Sequence, residues 1–382
     1  MKRHFLLIQN GCVRKGGFAV RYVVERDYLA NNIETVKKEM GGVPVIGTVK
    51  ANGYGLGTVQ FARELVDNGV HLLAAARPGE AAAVRNAGID YPILLLSPVA
   101  DENEAELLID RRITACVGSR ESALLLEETA QKRNAVIEAH LKLDTGFGRY
   151  GFLPGEEEEI AKLCAGLPHL KITGCFTHFS NAFGKDPSSV NRQMKTYREM
   201  IQKLEQAGMA LGMKHAANST AALRFPDTRL DAVRIGSAFL GRLSVPNVWG
   251  FQRVGHMECE ITSVKHLPKD SNIGYADLYR TPRDMVAAVV PVGHIDGFGL
   301  VKANDLCRPV DKLRYLVHAV KDFFRDTQIY GHLNGKRVPL AGRIGLTNVV
   351  FDVTGVDCRP GDIVTLDVNP LMVDSGVLRE YV

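Results

Sequence analysis

Between residues 45 and 236 short, wholly apolar runs alternate with longer stretches whose apolar residues recur every three or four positions. The runs are VIGTVK, HLLAAA, YPILLLSP, ITACVGS, EAHLKLDT, KITGCFTHF, KHAANS and DAVRIG. Each predicts a strand that ends in something polar or small. The amphipathic stretches include PGEAAAVRNAG, ESALLLEETAQKR, GEEEEIAKLCAGL and VNRQMKTYREMIQKLEQAG, which predict helices. Eight strand–helix units predict a parallel sheet closed as a (β/α)8 barrel of the TIM type. The runs do not alternate apolar with polar, as expected for strands covered on both faces.

After about Ser244 the helical period thins out. HMECEITSVKHL, DMVAAVVPVG, KRVPLAGRIG, NVVFDVTG and DIVTLDV follow one another as strands. One helical insertion, KLRYLVHAVKDFF, interrupts them. The expected organisation is an N-terminal extension over 1–19, a barrel over 20–246 and a mostly β C-terminal domain over 247–382.

Composition narrows the class only slightly. The 382 residues are 46% hydrophobic and 24% charged, with a net charge of +4. No run of basic residues marks a nucleic-acid footprint. Seven cysteines at 12, 116, 164, 175, 259, 307 and 358 form no CxxC pair. That scatter fits reduced thiols in a cytoplasmic protein. The opening MKRHFLLIQNGC is too short in apolar residues for a signal peptide. No stretch reaches the length of a membrane span.

The chemistry lies at the strand ends, where barrels of this kind collect their active residues. In order these are Lys50, Lys142 and Asp144 with Arg149, Thr177-His178, Asn218-Ser219, and Arg234-Ile235-Gly236. A lysine that closes an apolar strand is costly unless it has a task. With its pKa pushed down it condenses with an aldehyde. Pyridoxal phosphate needs such a lysine, a phosphate cradle and a partner for its ring nitrogen. Tyr54, Ser219 and the backbone at Gly236 are candidate phosphate donors. An arginine facing the ring nitrogen leaves that nitrogen unprotonated, because a guanidinium only donates. Such a ring is a weak electron sink, suited to brief removal and return of one α-proton.

Taken together, the motifs Val49-Lys50-Ala51-Asn52-Gly53-Tyr54-Gly55, HLKLDTGFGRYGF, Thr177-His178-Phe179, Asn218-Ser219, Val233-Arg234-Ile235-Gly236, Ile273-Gly274-Tyr275 and VPVGHIDGF occur in an order that resembles the alanine racemase family of fold-type III pyridoxal-phosphate enzymes. The resemblance covers roughly residues 20–382. It implies that Lys50 carries the cofactor and is the base on one face of the substrate. Tyr275, from the partner subunit of a head-to-tail homodimer, would be the base on the other. Arg234 would meet the pyridine nitrogen, His178 would pack on the ring, and Tyr54, Asn218, Ser219 and Gly236 would complete the cofactor site. Arg149 and Leu346 would bind the substrate, and Lys142, carbamylated in some members, would orient Arg149. No metal is implied.

The chain departs from the family's pattern at the substrate entry. His294, Leu300 and Thr347 stand where the family usually has tyrosine, arginine and aspartate. The phosphate-binding tyrosine near the C-terminus matches Tyr381, or is replaced by Ser375. The expected reaction is interconversion of L- and D-alanine, with serine as a further substrate. The alternatives are a slow or non-catalytic cofactor-binding homologue and a fold-type III amino-acid decarboxylase. A decarboxylase would want an acidic residue at the ring nitrogen, where this chain has Arg234. Residues 146–151 fit GxGxxG formally but lack the βαβ context of a dinucleotide site. Cys175 reads as packing, and Glu156–Glu159 as the start of a helix.

Overall fold

Each of the eight apolar runs forms a strand. In the computed structural model, which describes residues 19–301, 308–324 and 328–382, they follow a first strand, β1 (Val20–Val24). They are β2 (Val45–Thr48), β3 (Leu72–Ala75), β4 (Ile93–Leu95), β5 (Ala115–Val117), β6 (Ile137–Lys142), β7 (Leu170–Phe176), β8 (Met213–His215) and β9 (Val233–Ile235). They pair in parallel in two sheets, β4-β3-β2-β9 and β5-β6-β7-β8. Single parallel bridges, Leu94 to Thr114 and His215 to Ala232, join the two sheets at both edges. The order returns to its start, so the strands close a barrel.

Burial explains the missing alternation. All four residues of β2 are buried, as are all three of β4, β5 and β9. Ile46, Ala74, Leu94 and Ala232 form one cluster, with small side chains set against large ones. Helices Pro78–Asn86, Arg120–Lys132, Glu157–Ala165 and Ser188–Gln206 match the amphipathic stretches. The longest buries Val190, Met194, Tyr197, Ile201 and Leu204, a stripe at intervals of four and three residues that marks a helix packed on one side. Ser119 caps Arg120–Lys132 by accepting from Ser122 N–H, satisfying a donor that has no partner within the helix.

The described residues fall into two units, Glu25–Val254 as one and residues 19–24 with those from Gly255 to Val382 as the other. β1, at the start of the expected barrel span, pairs with strands of the β unit. It is antiparallel to β10 (His256–Glu260) and parallel to β17 (Leu378–Tyr381). Past 246, a buried asparagine ties the following residues to the barrel. Asn32 Oδ1 accepts from Gln252 N–H at 2.8 Å, and its amide donates to the carbonyls of Gln252 and Phe239 at 2.7 and 2.8 Å. Residues 1–18 of the expected extension, with Cys12 and Cys307, lie outside the described residues.

In the β unit HMECEITSVKHL is two strands, β10 and β11 (Ser263–Leu267), broken at Ile261-Thr262. β12 (Met285–Val290), β13 (Tyr330–Leu333), β14 (Lys336–Ala341), β15 (Val349–Asp352) and β16 (Ile363–Leu366) complete the sheet. Its order is β11-β12-β15-β14-β13-β16-β10-β1-β17. The expected insertion is a helix, Pro309–Phe323. Among the described residues no helix is long and apolar enough to cross a membrane, and the five described cysteines are free.

Candidate active site

β2 stops at Thr48, and Lys50 opens a turn of the wrong hand. Ala51, Asn52, Gly53 and Tyr54 have φ of 55°, 54°, 61° and 54°. Left-handed backbone costs roughly 1–2 kcal/mol for each residue that carries a Cβ, so the turn must be held. Glu80 holds it. One carboxylate oxygen accepts from Ala51 N–H at 2.7 Å, and the other from Ala76 and Arg77 N–H at 3.0 and 3.1 Å. The helix starting at Pro78 is thereby capped and strapped to the residue that follows Lys50. Gly53 is required twice over: its φ is +61°, and a Cβ there would stand 3.1 Å from Phe61 Cβ. The sequence reading missed Glu80. Its visible signal was an acidic residue at the third position of a helix, a capping position.

At the C-terminal ends of the barrel strands lies a cavity of about 1010 Å³. Lys50, Tyr54, Lys142, Arg149, His178, Asn218, Ser219, Arg234 and Gly236 all line it. Ser219 Oγ accepts from Gly236 N–H at 3.0 Å. Gly236 cannot carry a side chain, because a Cβ would overlap the Tyr54 hydroxyl. These three residues thus meet at one wall of the cavity. Asn218 lies beside them, but its side-chain oxygen is already used to cap Ser219–Arg224 by accepting from Ala221 N–H at 3.0 Å.

Arg234 is buried and has no carboxylate partner among the described residues. Its guanidinium donates to the carbonyls of Thr177, Ala216 and His215 at 2.6, 2.8 and 3.1 Å. It also meets His215 Nδ1 at 2.5 Å and His178 Nδ1 at 3.3 Å. A donor at Nδ1 fixes the tautomer: His215 carries its proton on Nε2, which lies 2.8 Å from His140 Nδ1. The sequence reading named neither His140 nor His215. Burial, then the charge of Arg234, pushes all three histidines down, His140 to about 4. Burial pulls Arg234 itself down to about 10, which leaves it charged at neutral pH.

The lysines share this electropositive pocket. Burial lowers the Lys50 ammonium, the charges of Arg149 and Arg234 lower it further, and Glu80 opposes them. Burial and then Arg234 bring Lys142 down to about 7. Its Nζ is buried without a hydrogen-bond partner and sits 4.8 Å from the centre of the Phe176 ring. Arg149 is placed by Asp144, whose carboxylate accepts from the N–H groups of Gly146, Phe147, Gly148 and Arg149 at 2.8–3.2 Å. The guanidinium of Arg149 lies over the Phe147 and Tyr150 rings. Residues 146–151 therefore form a loop on an aspartate. Cys175 is buried against Tyr197, 3.3 Å from its hydroxyl, as a packing role requires.

Tyr275 and Leu346 belong to the β unit, where Tyr275 is 82% exposed and Leu346 is exposed too. His294 Nδ1 faces the Phe298 carbonyl at 3.1 Å, and Ile295 N–H donates to the Leu346 carbonyl at 3.1 Å. Thr347 and Leu300 are exposed. Tyr381 ends β17, where it pairs with Val24.

The neutral histidines carry a stability consequence. Unfolded imidazoles titrate near 6.5, so below that pH the unfolded chain binds protons that the folded chain refuses. Stability should be unaffected by them above pH 7 and fall as pH drops below about 6.5. With three such groups the slope approaches about 4 kcal/mol per pH unit. Urea midpoints between pH 7.5 and 5.5 measure it, and a flat profile would mean that these imidazoles protonate freely in the fold.

Known proteins match this chain along most of its length. The alanine racemase N-terminal domain model matches residues 24–243, and the C-terminal domain model matches residues 254–370. An alanine racemase of Methanococcus maripaludis is 30% identical over 350 residues, 90% of this chain and 87% of the relative. One of Clostridium perfringens is 30% identical over 368 residues, 94% and 88% of the two chains. Among solved structures, the alanine racemase of Clostridium difficile 630 superposes with a TM-score of 0.84 at 26% identity, covering 96% of each chain. That of Streptomyces coelicolor A3(2) does so with a TM-score of 0.80 at 26% identity, over 95% and 98%. With both of the family's domains matched in sequence and the same fold found in its solved structures, this chain belongs to the alanine racemase family.

Proposed function

We propose that the protein is a pyridoxal-phosphate-dependent amino-acid racemase that interconverts L- and D-alanine by a two-base mechanism. The observation that carries the reading is a buried arginine, Arg234, bonded only to carbonyls and imidazoles at the mouth that also holds Lys50. The residues fit the cofactor. Tyr54, Ser219 and Gly236 would take its phosphate, with Asn218 as their support, and His178 would pack beside its ring. Lys50 would hold it covalently. When bound, it would delocalise the electron pair left at Cα, and only weakly, since Arg234 offers the ring nitrogen a donor and no acid. That favours moving a single proton over losing carbon dioxide.

The remaining work falls to the chain's own side chains. Racemisation requires a proton acceptor on each face of Cα. Lys50 would take or return the proton on one face. The partner subunit's Tyr275 would do so on the other, since Tyr275 lies on the β unit of its own chain and is exposed there. Arg149, held by Asp144, would bind the substrate carboxylate. The Leu346 N–H would assist, and Lys142 would stay near Arg149 as an uncommitted amine. The homodimer would carry two composite sites. Free cysteines in every described position support a cytoplasmic location.

A panel of L-amino acids, each incubated with protein and pyridoxal phosphate and assayed for D-product, tests the reading. D-alanine should form. Absence of every D-product from cofactor-loaded protein would overturn it. His294, Leu300 and Thr347 change the size and charge of the entry, and serine should be the first additional substrate. Thr347→Asp should shift kcat/KM toward alanine relative to serine by about tenfold, the worth of one changed polar contact. An unmoved ratio would remove these positions from specificity.

A further inference from the structure

The helix Pro309–Phe323 leaves its apolar face uncovered. Val310, Leu313, Val317, Val320 and Phe324 recur at intervals of three and four residues, and each is between 46% and 79% exposed. That is the seam of a helix that packs against a partner. Lys312, Arg314, Lys321 and Asp322 lie off the seam. Asp311 is buried under Arg308 and Arg314. A lone helix of this length is only marginally stable in water, and such a stripe exceeds the scattered apolar exposure of an ordinary surface.

Size decides what kind of contact this is. Fifteen residues make a face roughly 22 Å by 10 Å, about 200 Å². A stable interface needs about 800 Å² from each partner. The helix therefore suits an addition to a larger contact, and the β unit offers one nearby. Tyr275, Leu278, Ile295, Leu300 and Leu346 are exposed on three loops that touch. A Cβ on Gly342 would stand 3.0 Å from the Ile273 carbonyl, and one on Gly299 would overlap Ile344. Ile295 N–H bonds the Leu346 carbonyl. On the reading proposed above, this is the face on which the composite site would take a second chain. From its edge at Val301, seven residues lead to Arg308, a reach of at most about 25 Å.

We propose that the apolar seam of helix Pro309–Phe323 docks on a second copy of this chain and enlarges the dimer contact. The proposal rests on the composite-site reading above. The test compares wild-type holoenzyme with Leu313→Glu/Val317→Glu by sedimentation across a dilution series. The dimer dissociation constant should rise at least about tenfold, as for loss of anchoring side chains at an interface. Amide exchange within residues 309–323 of wild type should slow above the concentration at which dimers form. This second measurement decides the matter if the variant fails to fold. A dissociation constant within twofold of wild type, or equally fast exchange in monomer and dimer, would overturn the proposal. So would capture of the helix by phosphatidylglycerol vesicles with the dimer unmoved, which would assign the face to a membrane surface. If composite catalysis fails while the helix variant still weakens the dimer, the site reading falls and the docking stands.

Discussion

Lys50→Ala should abolish the near-visible absorbance of protein purified with pyridoxal phosphate and lower racemisation by at least about 10⁴-fold, because Lys50 is proposed as both the covalent anchor and one base. The cavity holds a second amine that could compete for the aldehyde: Lys142, buried, unpartnered and brought down to about 7. What distinguishes Lys50 is its turn. A left-handed backbone strapped by Glu80 holds it in one place, and strain of this sort persists where the surroundings over-determine it. Lys142→Ala should therefore keep the band. If Lys50→Ala retains a borohydride-reducible band and Lys142→Ala loses it, the anchor is Lys142 and the assignment is wrong.

Tyr275→Phe should cut racemisation by about 10²–10⁴, the usual worth of one positioned acid–base group, while the absorbance band stays. The loss should be one-sided. The isomer whose proton faces Lys50 should still exchange that proton with solvent deuterium, and the other isomer should not. Loss of exchange from both isomers would show that Tyr275 supports the site as a whole and is no base. Full retention of racemisation would remove it from the chemistry.

The strands and the side-chain contacts between them differ in how openly the sequence displays them. The eight barrel strands are buried on both faces, so each appears as an unbroken apolar run, and β2 to β9 stand where those runs lie. β1 and β17 pair with each other across the length of the chain. Nothing local marks such a partner. Equally non-local is Asn32, whose two hydrogen bonds to the backbone of Gln252 tie residues beyond 246 to the barrel unit.

The site shows the same division. Lys50, Lys142, Ser219 and Arg234 are polar residues at or just past the ends of apolar runs, where loss of water makes a polar side chain conspicuous, whereas Arg149 is exposed on the loop after β6. The chain from Arg234 through His215 to His140 draws one residue from each of three strands. A histidine within an apolar strand is easily taken for core, and only the fold reveals that its ring nitrogen meets another ring. Glu80 was concealed differently: a capping residue looks the same whether it serves only its helix or also a turn 29 residues earlier. The roles proposed for Tyr275 and Leu346 rest on the family's motifs, since both are exposed on loops and nothing in their own surroundings announces a role.

The composite two-base site is tested most directly by mixing chains. Lys50→Ala and Tyr275→Phe proteins, each nearly inactive, are combined under conditions of verified subunit exchange, and D-alanine formation is measured. In a mixed dimer one site would inherit both defects and the other neither. At equal amounts half of the dimers are mixed, so activity should return to about one quarter of wild type for a symmetric dimer. No recovery after verified exchange would contradict the account, because both residues would then have to serve from the same chain.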